Sequence, residues 1–144
     1  MSETTPTLDW SGMEVLNYED CRALLSIAQV GRLGFVESGG PVILPVNFAM
    51  DGSRIVFRTG RGSKLSAAVM NAPVCLEIDH WDDTSRTGWS ILAKGFAEHV
   101  TGPETERFER LGIAGAAVDI ERPCWVRIIT DEITGRRIPT TRPV

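Results

Sequence analysis

PVILPVNFAMDGSRIVFRTGRGSKL, residues 41–65, decides how this chain is read. Val42 to Met50 forms one predicted strand, and Asp51-Gly52 is the kind of pair that closes a two-residue hairpin, because such turns need residues that tolerate positive φ. Arg54 to Thr59 is the returning strand. Gly60-Arg61-Gly62 then interrupts the pattern, and Ser63 is placed to cap a helix running to Met70, with Lys64 in its first turn. The window Ser53 to Met70 holds Arg54, Arg58, Arg61 and Lys64 and no Asp or Glu, in a chain of formal net charge -4. A lysine in a first helical turn opposes the helix dipole unless an anion sits beside it. Phosphate binding is therefore one reading of the turn. The other is a plain solvated turn, since Gly-Arg-Gly-Ser is also ordinary turn and cap chemistry. The spacing matches neither a Walker loop nor a dinucleotide fingerprint.

Working outward, the same grammar repeats. Asn17 caps a helix predicted from Tyr18 to Gln29, with Cys21, Leu24, Leu25 and Ala28 on its inner face. Val30 to Glu37 is a strand, ended by the turn Ser38-Gly39-Gly40-Pro41. Val74 to His80 and Gly88 to Val100 are further strands, the second with Gly95 at a bulge or a tight curve. Thr101 to Glu104 has the spacing of a capping box, Gly115 to Pro123 is a short helix or a loop, and Trp125 to Asp131 is the last strand. Strands joined by tight hairpins pair antiparallel. Six of them with a few short helices predict a mainly β fold, a closed or partly closed barrel without free sheet edges.

The 144 residues suffice for one core. The division expected is a flexible arm over 1–12, one domain over 13–138 and a tail over 139–144. No apolar run reaches the length of a membrane span, and the polar, acidic start has no signal core, so a cytoplasmic protein is expected. The acidic balance disfavours nucleic acid as a partner. Cys21, Cys75 and Cys124 are far apart and odd in number, which predicts reduced, buried thiols and no metal site. His80 and His99 are read as surface residues, and Glu77 and Asp79 as a solvated strand face in preference to an acid/base pair. Trp89, Phe96 and Trp125 suit core or interface packing as well as ring stacking. Arg136 and Arg137 are read as a solvated basic end.

The order VGRLGFV, PVILPVNFAMDGSRIVFRTGRGSKL, NAPVCLEID, TGWSILAKGFAEHV resembles the pyridoxamine 5′-phosphate oxidase-like, flavin-binding split-barrel family over roughly residues 13–138. The resemblance implies a six-stranded antiparallel split barrel that forms a homodimer with FMN in clefts between subunits. It places the flavin phosphate against Arg58, Thr59, Arg61, Ser63 and Lys64, and the isoalloxazine ring along Pro45, Val46 and Asn47. Trp89 and Ser90 are placed near the cofactor and the partner subunit. The implied activity is oxidoreduction, from a reduced nicotinamide through the flavin to a small acceptor. A deazaflavin reductase, or a non-catalytic flavin- or haem-binding protein, is the alternative on the same barrel. The tail GRRIPTTRPV lacks the His and Trp with which the vitamin-forming oxidases hold substrate phosphate, so the chain is more similar to the smaller branch that includes nitroimidazole-resistance-like proteins.

Overall fold

The computed structural model describes residues 5–60, 63–113 and 123–139. Its elements are β1 (Glu14–Leu16), α1 (Tyr18–Ile27), β2 (Val30–Glu37), β3 (Gly40–Asp51), β4 (Arg54–Gly60), α2 (Lys64–Ala68), β5 (Ala72–Asp82), β6 (Thr87–Val100), α3 (Glu104–Glu109) and β7 (Pro123–Arg137). All strand pairs are antiparallel. β7, β4, β3, β2, β5 and β6 are neighbours in that order, and β6 returns to β7, closing a six-stranded ring. Among the described residues there are seven strands rather than six, because β1 adds to β7 through Glu14↔Arg137 and Leu16↔Gly135. At three residues it is too short to show alternation, and its partners lie at the far end of the chain.

The alternating pattern of β4, β5 and β6 sorts the two faces. Phe57, Leu76, Ile78, Ile91 and Ala93 fill the ring, with Leu33 and Phe35 of β2 and Val126 and Ile128 of β7. α1 adds buried Cys21 and Leu25, and its cap is the one expected, Asn17 Oδ1 accepting from Asp20 N. Leu65, Ala68 and Val69, from α2 and the residue after it, pack on the same core. A second cluster of Val56, Val100, Phe108 and Trp125 lies outside the ring, under α3. The ladder of β6 on β7 shifts register between Lys94 and Gly95, and a Cβ on Gly95 would collide with the carbonyl of Ile129. The glycine is what lets the two strands touch there.

Three expectations are corrected. The capping box at Thr101 is not formed: Pro103 stands at the N-cap without a side-chain bond, and Thr105 Oγ1 donates to Gly102 O instead. β7 runs six residues past Asp131, held by β6 and β1. Only Cys21 is fully buried; Cys75 and Cys124 are half-buried, and all three thiols are free. Residues 114–122, which cover the Gly115 to Pro123 segment apart from Pro123 itself, lie outside the described residues. Among the described residues no helix is long and apolar enough to cross a membrane, and no group of three potential metal ligands occurs.

Candidate functional site

The decisive local geometry is the parting of β3 from β4. Their ladder starts at Asp51↔Arg54 and ends at Phe48↔Phe57. Beyond it β3 stays on β2 down to Gly40, while β4 continues on β7 to Gly60↔Pro123. A gap therefore opens at Asn47 and Arg58, the next residues on each strand. Phe48 N donates to Gln29 O at 3.1 Å. Backbone direction alternates along a strand, so Val46 and Leu44 also turn their backbone groups to β2, and Asn47, Pro45 and Ile43 turn theirs to the gap. Pro45 fits there because it has no N–H to lose from a ladder.

Across the gap, Thr59 is buried, and its hydroxyl lies 2.9 Å from that of Ser63. Ser63 Oγ also accepts from Ser66 N at 3.0 Å, which caps α2. One hydroxyl proton is shared between Thr59 and Ser63, and the other remains able to donate to an oxyanion. The buried Ser66 hydroxyl donates to Cys124 Sγ at 3.6 Å. His99, expected to face solvent, is half-buried with Nε2 donating to Ser66 O at 3.1 Å. It braces α2 from behind.

Arg58 is half-buried and stands opposite Trp125 of the outer cluster. Arg32, Arg86, Lys94, Arg107, Arg127, Arg136 and Arg137 form ion pairs, whereas Arg58, like Arg22, Arg54 and Arg110, meets no carboxylate among the described residues. Arg61 and the Lys64 side chain lie outside the described residues. α2 has five residues, so its dipole adds little; hydroxyls and cations are the available anion-binding groups.

The structure thus brings Pro45 and Asn47 to one gap with Arg58, Thr59 and Ser63, leaves Val46 with its side chain on the core and its backbone turned to β2, and sets Trp89 and Ser90 apart. Asn47 pairs with Val30, and Ser90 with Asp79. Counting two residues on from Arg32↔Glu77 makes Val30 level with Asp79. Three strand spacings, about 14 Å, therefore separate Asn47 from Ser90 over the outer face. Trp89 packs against the main core and, with Met13, Asp79, His80, Trp81 and Ile138, lines a pocket of about 260 Å³.

Between the two halves lies a charge cluster that the sequence reading did not assemble. Arg32 Nη1 donates to Glu77 Oε1 at 2.9 Å and to Asp79 Oδ2 at 2.6 Å. Burial first, and then Asp79 beside it, raise the Glu77 pKa, against the pull of Arg32. The alternation of Glu77 and Asp79 was visible; their pairing with a strand 45 residues earlier was not. Arg136 and Arg137, read as a solvated end, are tied to Asp9 and Glu14.

A family model described as pyridoxamine 5′-phosphate oxidase matches residues 17–137. The chain belongs to this family. Among its relatives is the uncharacterised protein Rv0080 of Mycobacterium tuberculosis, 33% identical over 129 residues that cover 85% of this chain and 84% of the relative. A structure described as the FAD binding protein from Mycobacterium smegmatis superimposes with a TM-score of 0.76 at 29% identity, covering 87% of this chain and 99% of that one. A Bacteroides thetaiotaomicron protein named for 5-nitroimidazole antibiotic resistance has a TM-score of 0.70 at 15% identity, covering 95% of each chain, and shares the fold. The antiparallel barrel with short helices is the split-barrel architecture that these structures share.

Proposed function

We propose that this member of the pyridoxamine 5′-phosphate oxidase family is a flavin-dependent oxidoreductase, working as a homodimer with FMN in the gap between β3 and β4. The observation that carries the reading is the coincidence, at one gap, of an unpaired strand edge, a hydroxyl pair with a proton to donate, and a half-buried arginine with no acidic partner among the described residues. A phosphate dianion matches the hydroxyls and cations by charge-assisted hydrogen bonding. A flat ring with hydrogen-bonding edges matches the backbone of Ile43, Pro45 and Asn47. Thr59, Ser63 and Arg58, with Arg61 and Lys64, would hold the phosphate; Pro45 and Asn47 would hold the ring. Ser90 and Trp89 of a second copy would complete the cleft. The flavin when bound supplies hydride exchange between a reduced nicotinamide and a small acceptor, and the protein supplies orientation and electrostatics. FAD is the second reading, favoured by the Mycobacterium smegmatis neighbour described as binding it.

The test is titration of purified protein with FMN, FAD and a deazaflavin, followed by flavin fluorescence. Arg58→Ala with Lys64→Ala is expected to weaken uptake by about 1.5–3 kcal/mol for each lost charge-assisted bond. Undiminished affinity in that double variant refutes the placement.

A further inference from the structure

Arg32 differs from the arginines that give a full fork to one carboxylate and, like exposed Arg86, forms its ion pairs through Nη1 alone. Arg107, Arg127 and Arg137 each commit the Nε–Nη2 edge of the guanidinium to one carboxylate, that of Asp51, Glu98 and Glu14 respectively. Arg32 makes both of its ion pairs through Nη1 alone. Among the described residues no acceptor meets its Nε or Nη2, and the side chain is 55% exposed. The result is a cation anchored through one nitrogen, with its bidentate edge unengaged among the described residues. Leu33 and Phe35 point into the core, so Arg32 between them and β2's start is on the outer face, directly opposite Pro45 of β3 and Glu77 of β5. Directly opposed residues in an antiparallel pair have Cα atoms about 4.5–5.5 Å apart.

We infer that Arg32 is a cofactor-contacting residue, donating from its Nε–Nη2 edge to the paired acceptors N1 and O2 of a flavin ring seated along Pro45, while Glu77 and Asp79 position it. This rests on the flavin reading above. A guanidinium fork matches two adjacent acceptors on a planar group, a geometry an ammonium lacks. Two-electron reduction places negative charge on that same edge of the ring, so the cation binds the reduced form more tightly than the oxidised one. Glu77 and Asp79 together outnumber Arg32 by one charge, so Glu77 opposes the effect while it orients the fork.

The experiment compares wild type, Arg32→Gln, Arg32→Lys and Glu77→Gln. Flavin dissociation constants are read by fluorescence and midpoint potentials by equilibration with reference dyes. Thermal unfolding serves as a fold control, since an exposed ion pair contributes little to stability. Arg32→Gln is expected to bind oxidised flavin about tenfold more weakly, the order of one charge-assisted bond. It should bind reduced flavin a further tenfold more weakly, a potential about 30 mV lower for a two-electron couple. Arg32→Lys should not restore either value, and Glu77→Gln should move the potential upward. Wild type that takes up flavin, with Arg32→Gln unchanged in affinity and potential, overturns the inference and leaves the flavin reading standing. A Glu77→Gln variant that lowers the potential as Arg32→Gln does also overturns it. Wild type that takes up no flavin overturns both.

Discussion

Replacing Arg127 by Met tests how the seat of Arg58 is held. Arg127 donates from Nε and Nη2 to Glu98 Oε1 at 2.8 and 2.6 Å, and from Nη1 to Glu104 Oε2 at 2.6 Å. Its side chain is 15% exposed, against 31% for Glu98 and 45% for Glu104. Burial works against its charge, yet the two glutamates outweigh it and raise the pKa. Removing one partner of a fully buried pair costs about 3–5 kcal/mol, chiefly through the charge left behind. Water reaches both glutamates once Arg127 is gone, so the expected loss is smaller, about 2 kcal/mol. At about 2–4 °C per kcal/mol for a domain of this size, that is a fall of roughly 4–8 °C in Tm. Glu104 opens α3, whose Phe108 packs on Trp125 with ring centroids 5.7 Å apart, and Trp125 is the cross-strand neighbour of Arg58. Loosening α3 should therefore weaken flavin binding as well. Urea unfolding followed by tryptophan fluorescence measures the stability. The triple variant Arg127→Met, Glu98→Gln, Glu104→Gln should recover part of the loss, because no charge is stranded. A loss below about 0.5 kcal/mol, within the range of ordinary surface substitutions, or a triple variant no more stable than the single one, refutes the reasoning.

Two further outcomes follow from local geometry. Gly95→Ala sets a methyl against the Ile129 carbonyl, where backbone cannot yield as a flexible side chain would; the expected cost is about 1–3 kcal/mol by denaturant titration, and an unchanged midpoint denies that the bulge requires glycine. The Asp9 carboxyl is gripped by the Ser11 hydroxyl, opposed by burial, and then by the Met13 and Ser11 amides and by Arg136, so that its pKa falls from 3.8 to about 2. A folded pKa below the unfolded one means a contribution complete above about 3.9 and lost as pH falls through about 2. The stability difference between wild type and Asp9→Asn should be flat from pH 7 to about 4.5 and close progressively below that. A difference that persists to pH 2 would remove Asp9 as the clasp of the N-terminal segment.

The parts of the fold visible in sequence are those fixed by neighbours in the chain. Asp51-Gly52, Asn17 and Ser63 act within four residues, and each stands where its chemistry indicated. What was missed depends on contacts distant in sequence. β1 exists because Arg136 and Arg137 are there to pair with it. The last strand was expected to stop at Asp131, with Arg136 and Arg137 a solvated end, yet β6 carries it on as strand to Arg137. The buried side of His99 is set by α2, 33 residues away. At the candidate site the Thr59–Ser63 pair followed from a strand running into a capped helix. The parting of β3 from β4 left no mark beyond Pro45, and Arg32 stayed an unremarked surface residue because the register of β2 on β5 is invisible in either strand alone.

That register also explains why one strand serves two places. Across the gap from Arg58, a lateral row runs from Asn47 to its partner Val30, then to Asp79, level with Val30, and on to its partner Ser90 of β6. In the other direction a row runs from Arg58 through Trp125 to Val100 of the same strand. The two arrivals are ten residues apart because strands closing a small barrel tilt and stagger. Motifs adjacent on β6 are consequently displaced around the barrel, and a signature that looks like one site in sequence is divided over its surface. Arg32, Glu77 and Asp79 occupy the ground between the two parts. A ligand held at Asn47 and Arg58, as proposed, would meet that cluster before it met Ser90, which would make Arg32 the first charged group beyond β3 able to act on its electronic state. A contact from Ser90 to the same ligand then calls for a second chain laid across the face.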